Sequence, residues 1–300
     1  MTAVAEGIAL PTGRTATHAG LRRIARRIVV GLATLLVIAF LTQWGMIMYG
    51  RVVDGLAAQP IQSAVAAVGA TADWVFHHPE TYTWQKQEVA WYSVVLRLIG
   101  HSAVLLAAAL GIAIVIGIPL GIFAALRRPA GSSWIVLTAV LGMSIPSFLL
   151  GMILWVVNIQ VHRTFGITVL PATGYGLDWH LLMPALVLAT RPLAQLTSVT
   201  YLTTRSVLSA DYVRTAKAKG LRPGVLLWRH VLRNGLIPIL TAVVTSLRYA
   251  LASLPVVEYF FVWLGVGLAL LAAVREGNSS LATDLTVSLG LFFMLLSGAL

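Results

Sequence analysis

The chain has 300 residues, 58% of them hydrophobic and only 10% charged, with a formal net charge of +11 and a mean hydropathy of +0.88. Soluble chains carry roughly 25% charged residues, so a water-soluble fold is excluded, as are disordered tails and nucleic-acid-binding domains, which need more charge per residue. The composition is that of an integral membrane protein, and the absence of cysteine rules out disulfides, zinc-thiolate sites and thiol catalysis.

A membrane-crossing helix needs about 20 mostly apolar residues. Residues 1–27 form a basic segment carrying Arg14, Arg22, Arg23, Arg26 and Arg27, and Ile28 to Gly50 is the first apolar run. A cleaved signal peptide competes for this run because Leu56-Ala57-Ala58 follows it. The run is longer than the 7–15 apolar residues usual in such a leader, which favours a retained span. Residues 51–101 form a segment outside the bilayer core, predicted as a partly helical layer whose Trp74, Trp84 and Trp91 settle at the interface. His77-His78 is a weak metal candidate, since adjacent histidines rarely converge on one ion and no carboxylate spacing supports them.

Residues 102–300 supply the remaining spans. The second runs from Ser102 to Leu126 and is closed by Arg127-Arg128; the third runs from Ser133 to Val157. The fourth, Leu181 to Thr204, is interrupted by Arg191-Pro192, the fifth extends from near Gly235 to Leu254 around Arg248, and the last is Leu281 to Leu300. Between the last two, Val256 to Val274 is apolar but carries Glu258, Gly265 and Gly267, so it reads as a seventh span or as a short re-entrant or surface helix.

Charge placement decides for about six spans with both termini in the cytoplasm. On that topology fourteen of the 21 Lys and Arg lie inside: five before the first span, two in the 127–132 loop and seven in the 205–234 loop. Five lie outside, as the positive-inside rule requires. A seventh span would move the C-terminus outside, which this count does not test.

Several chemistries are missing. The three lysines, Lys86, Lys217 and Lys219, each follow a residue other than glycine, so no Gly-Lys-Ser/Thr phosphate loop exists. No Gly-x-Ser-x-Gly elbow or His-Glu-x-x-His pair occurs. Acids inside the spans reduce to Asp284 at the edge of the last one, which disfavours a proton-coupled carrier and a membrane enzyme alike.

The loop Ser209 to Leu240, SADYVRTAKAKGLRPGVLLWRHVLRNGLIPIL, predicts a short helix capped by Ser209 or Asp211 and stopped by Gly220. A turn at Pro223-Gly224 then leads to an amphipathic helix with Leu226, Leu227, Val231 and Leu232. Composition alone reads this as a basic hairpin resting on anionic lipid. The spacing of Thr215-Ala216, Gly220 and His230-Val231-Leu232 reads otherwise, because it resembles the signature loop of ABC importer permeases.

YVRTAKAKGL followed by RHVLRNGLIPIL resembles, more narrowly, the oligopeptide/dipeptide/nickel permease family. In that family Arg, here Arg214, replaces the leading Glu of the general motif, and His230 and Arg233 replace its later Ile and Pro. Four further segments resemble the family in the family's order: Gly117-Ile118-Pro119-Leu120-Gly121, Ser144-Ile145-Pro146-Ser147-Phe148, Leu170-Pro171-Ala172-Thr173-Gly174 and Met183-Pro184-Ala185-Leu186. The resemblance covers about residues 95 to 275. Its departures are a missing Pro-Gly-Asp motif after the first span, Leu264 where proline is usual in Val257 to Gly267, and the lack of a basic tail after Leu300, which marks a shortened chain or a divergent end.

The resemblance implies an all-α membrane permease, non-catalytic and without a cofactor of its own. It would pair with a homologous second permease, two ATPase subunits that bind ATP, and an extracytoplasmic solute-binding protein, in a prokaryotic inner membrane. It implies ATPase coupling through Asp211, Arg214, Thr215, Ala216, Lys217, Gly220 and Leu221. Candidates for the translocation path are Arg191, Arg248, Pro146 and Ser147. A cation within a span is costly unless paired or facing water, so each arginine either faces the path or pairs with Glu258, Asp284 or the partner permease. Pro119, Pro146, Pro184, Pro192 and Pro238 free backbone groups suited to lining a cavity, or are kinks tolerated by packing. A secondary carrier or channel acting alone is the alternative function; the cargo is not legible.

Overall fold

The computed structural model describes residues 13–84, 87–127, 141–167, 170–171 and 173–298, together with positions 137 and 139. It divides into two units, residues 1–76 and 77–300. Arg14, Arg23, Trp84, Lys86, Arg128, Ser133, Ala172, Pro223 and Leu300, named above, lie outside what is described, for their side chains or entirely.

The first unit is a helix pair. Helix α1, Gly13–Val53, spans 41 residues, and its stretch Ile24–Val53 is apolar enough to cross a membrane. The helix therefore runs without a break from the basic segment into the predicted span. A turn with Gly55 at φ +70 reverses the chain, and helix α2, Pro60–Phe76, packs back on α1. Trp44 donates its indole N–H to the Pro60 carbonyl at 3.2 Å, and Arg51 holds the turn through Gln59 Oε1 at 2.9 Å and the Ala57 carbonyl.

The second unit opens on an antiparallel hairpin, β1 Thr81–Trp84 and β2 Gln87–Ala90, with Thr81 opposite Ala90. The outer segment is thus not the partly helical layer alone that indole spacing suggested. Its Thr-Tyr-Thr-Trp run, made of β-formers throughout, pairs with Gln-Glu-Val-Ala as strands. Helix α3, Trp91–Leu126, starts eleven residues before the expected Ser102. Helix α4, Ser147–Phe165, begins after Pro146, which is extended at ψ 134 and precedes the first turn, where its missing N–H costs nothing. The third predicted span, Ser133 to Val157, is therefore broken at Pro146 and displaced to Phe165.

Helix α5, Leu182–Leu208, lies at the centre, packed against α3, α4 and helix α7, Leu226–Phe261. The short α6, Asp211–Ala218, precedes α7; α8, Val266–Arg275, and α9, Ser279–Gly298, follow it. Among the described residues, five helices are long and apolar enough to cross a membrane: the Ile24–Val53 stretch, α3, α4, α7 and α9. The expected sixth crossing, α5, has the length for one and packs against α3, α4 and α7, although Arg191 and its threonines leave it less apolar than these five. Its buried face includes Thr197, Thr200 and Thr204, polar groups that packing rather than lipid surrounds. Val266–Arg275, at ten residues, spans only about 15 Å and cannot be a seventh crossing of a core about 30 Å thick.

The α3–α5 contact explains the GIPLG run. A Cβ on Gly121 would stand 2.6 Å from the Thr197 carbonyl and 2.7 Å from Thr200 Cβ, so only glycine lets the backbones meet there; Gly117, four residues earlier, faces Leu193 and Leu196. This is small-xxx-small packing. Just before Pro119, residues Ala113–Gly117 widen into a π turn. Proline removes the donor that the Val115 carbonyl would use, and Thr197 Oγ1 donates to the Gly117 carbonyl at 3.3 Å.

Candidate functional site: the helical knob and the locked re-entrant helix

Two constellations stand out, one at each end of the core helices. The first is the knob between α5 and α7. Helix α6 starts from Ala210 in extended conformation with no side-chain cap; Ser209 Oγ instead donates to the Ser206 carbonyl at 2.7 Å. The expected Ser209 or Asp211 cap is therefore corrected. Asp211 sits inside the first turn and Lys217 in the last, where each charge suits the helix dipole.

The stop is as spaced. Gly220 has φ +75, its N–H reaches the Lys217 carbonyl at 3.0 Å, and the Leu221 N–H reaches Ala216 at 3.3 Å. That pair of bonds is a Schellman closure, which demands a left-handed residue and so a glycine.

Val213, Ala216 and Leu226 form a buried cluster, with Val207, Leu208 and Leu221 packed against it. Of the candidate coupling residues, Ala216 and Leu221 therefore face inward and hold the knob together. Asp211, Arg214, Thr215, Lys217 and Gly220 are exposed. Asp211 and Arg214 lie 3.7 Å apart, both open to solvent, and such a pair contributes little. Asn234 Nδ2 donates to the Tyr212 hydroxyl at 3.1 Å, tying α6 to α7. The first stretch of α7, Leu226–Leu232, is wound as a π helix, an unusual length for that geometry.

Among the described residues no side-chain hydrogen bond or ion pair joins the path candidates to one another. Pro146 caps α4 and Ser147 is its first residue, both half-buried. Arg191 is half-buried on α5, its Nε without a hydrogen-bond partner among the described residues. Arg248 is exposed on α7, on a face it shares with Thr241, Ala252 and Tyr259. A cleft of about 330 Å³ runs beside α5 between Leu186 and Thr197, and Arg191 does not line it.

Neither arginine pairs with Glu258 or Asp284, which corrects that alternative. Asp284 accepts from Tyr82 at 2.7 Å and faces His78 Nε2 at 2.8 Å, fastening the hairpin to α9. Burial, then the hydrogen bond and charge of Asp284, push the Tyr82 hydroxyl above its ordinary pKa. His78, read above as half of a weak metal pair, also places Nδ1 2.8 Å from the Pro79 carbonyl.

Glu258, weighed above only as a partner for the arginines, belongs to the second constellation. Fully buried, it accepts from Ser102 Oγ at 2.6 Å and from the Gly267 N–H at 2.6 Å, while Ser102 Oγ accepts from the Val266 N–H at 2.9 Å. Two orphan donors at the start of α8 are thereby satisfied by a carboxylate and a hydroxyl from other helices. A Cβ on Gly267 would stand 2.3 Å from Pro255 Cα, so this position too must be glycine.

The linker before α8 is pinned as well. Trp263 donates to the His101 carbonyl at 3.1 Å, His101 Nδ1 faces the Leu264 carbonyl at 2.7 Å, and Tyr175 packs on both rings. The signal that could have found this lock is an acid in an apolar run followed at nine residues by the second glycine of Gly-x-Gly.

A family model described as binding-protein-dependent transport system inner membrane component matches residues 117–300. Over 183 residues, 60% of this chain and 57% of the relative, the sequence is 33% identical to a dipeptide transport system permease protein of Bacillus subtilis. It is 36% identical over 162 residues to an oligopeptide transport system permease protein of the same organism, covering 52% and 51% of the two chains. A glutathione transport system permease protein of Escherichia coli is 36% identical over 166 residues, 54% of this chain and 52% of that one. The chain spans between about half and 62% of the length of these and the other curated relatives it matches along most of the core.

Proposed function

We propose that this chain, which belongs to the family of binding-protein-dependent transport system inner membrane components, is the permease subunit of an ATP-driven importer of peptides or a related small solute. The observation that carries the reading is the knob. A Schellman-closed helix, anchored by the Val213–Ala216–Leu226 cluster, presents Arg214, Thr215 and Lys217 outward on a rigid mount continuous with α7. Such an element suits a groove in a cytoplasmic ATPase and can carry its motion into a membrane span as a lever.

ATP is bound by the partner ATPases; this chain adds no catalytic group. A homologous second permease completes the path, and an extracytoplasmic binding protein delivers cargo. The chain sits as a multi-pass protein of a prokaryotic inner membrane with the knob and both termini cytoplasmic. Arg248 lies on an α7 face that is exposed and partly polar, and lipid is a costly neighbour for it. The face therefore suits the path or the partner permease.

Co-purification tests the reading: the membrane-extracted chain should bring down a P-loop ATPase. Replacement of Gly220 by tryptophan should uncouple that ATPase from cargo. Cargo-stimulated hydrolysis that is unchanged in the Gly220→Trp complex would sink the coupling role. Cargo movement in vesicles holding this chain alone would favour the stand-alone carrier or channel.

A further inference from the structure

At the end of the core that carries the hairpin and α8, the loop before α5 folds over a cleft of about 370 Å³. Its walls are Ala108 and Ile112 of α3 and Leu182 and Ala185 of α5, and its rim is Leu177, Asp178 and Trp179. The volume falls in the range of small-molecule sites, which are mostly apolar with a few placed polar groups.

Here the placed group is Asp178. Its Oδ1 accepts from the His180 N–H at 3.0 Å and lies 2.7 Å from His180 Nδ1. The His180 backbone N–H and then its ring hold the Asp178 carboxyl below its ordinary pKa, so it stays charged at neutral pH. Gly176 is needed for this posture, because a Cβ there would meet Asp178 Oδ1 at 2.6 Å. Leu177 and Trp179 on either side are 70% and 68% exposed. One fixed anion, two unsheathed apolar side chains and a greasy slot below them make a site with a definite preference.

We infer that this cleft takes a primary ammonium carrying an apolar arm, the ammonium against Asp178 and the arm between α3 and α5, as in the N-terminal residue of an apolar peptide. The inference rests on the importer reading for its choice of peptide, and it adds that this chain itself contacts the peptide N-terminus. An aminophospholipid offers the same chemistry, and the test separates the two.

The full chain in phosphatidylcholine nanodiscs is examined by saturation-transfer NMR with the tripeptide Leu-Leu-Gly. Signal is expected chiefly on the first leucine side chain. N-acetylation of the probe should weaken apparent affinity about two- to five-fold, the scale of one exposed ion pair. Asp178→Asn should erase that difference while Asp178→Glu largely keeps it. Equal signals for free and acetylated probe in the unsubstituted chain would overturn the inference. Loss of the peptide signal on adding phosphatidylethanolamine to the discs would give the cleft to lipid and overturn it too. Because binding is read on this chain alone, failure here is separable from failure of the importer reading, which shows as a missing ATPase.

Discussion

Removal of the Glu258 carboxylate should release α8. In Glu258→Ala, the Gly267 N–H and the Ser102 O–H, both buried, lose their acceptor, and a cavity opens between α3, α7 and α8. An unsatisfied buried donor costs about 1–3 kcal/mol, so two of them, with the cavity, put the loss at about 3–5 kcal/mol. Glu258→Gln keeps one acceptor oxygen but turns an NH₂ toward one of the two donors. The Ser102 oxygen already accepts from Val266, so that exchange sacrifices about one charge-assisted bond, roughly 1.5–3 kcal/mol.

These 300 residues hold no cysteine, so Ala273→Cys, at a buried position on α8, gives a background-free probe of opening. If local release governs access to the thiol, maleimide labelling should accelerate at least about 100-fold in the Glu258→Ala background, since each 1.4 kcal/mol is a factor of about ten. Glu258→Gln should fall between that and the parent. An unchanged labelling rate together with an unchanged thermal midpoint in Glu258→Ala would refute the locking role.

The α3–α5 contact should fail at Gly121. Gly121→Leu meets backbone at 2.6 Å and should lower stability by at least about 1–3 kcal/mol, read as a lower thermal midpoint in detergent. Gly220→Ala meets nothing within 4 Å but keeps φ +75, so it should cost only about 1–2 kcal/mol of left-handed strain and fold as the parent does. Arg191→Gln and Arg248→Gln should impair cargo movement without changing assembly if either arginine faces the path; normal transport by both would dispose of that role. Tyr82 holds its proton more tightly folded than unfolded, so its stabilisation is complete below the ordinary phenol pKa of about 10 and is lost as pH rises beyond it. Tyr82→Phe should remove that part of the alkaline decline in the thermal midpoint.

Membrane class, most spans and the knob were legible because each depends on near neighbours in the chain. Hydropathy windows locate apolar helices, and a glycine four residues after the last inward-facing alanine marks where α6 must close. The same locality explains the misses. Windows place the third span over Pro146, because they sum apolarity and do not register that proline breaks a helix unless it opens one. They undersell α5 as well, because its threonines lower the average although Thr197 and Thr200 are buried against Gly117 and Gly121.

The functional set was read with the same bias. Ala216, which the resemblance implies for coupling, also packs with Val213 and Leu226 and so seats α6 on α7. Glu258 looked like a charge in need of an arginine. A buried carboxylate can be satisfied by donors alone, and an uncapped helix start in an apolar surrounding supplies donors that need an acceptor. Its partners are Gly267, nine residues on, and Ser102, 156 residues back, and nothing in the local sequence of either announces the other. Among the described residues, Glu258 and Asp284 are thus committed to Ser102, Gly267, Tyr82 and His78 rather than to Arg191 or Arg248.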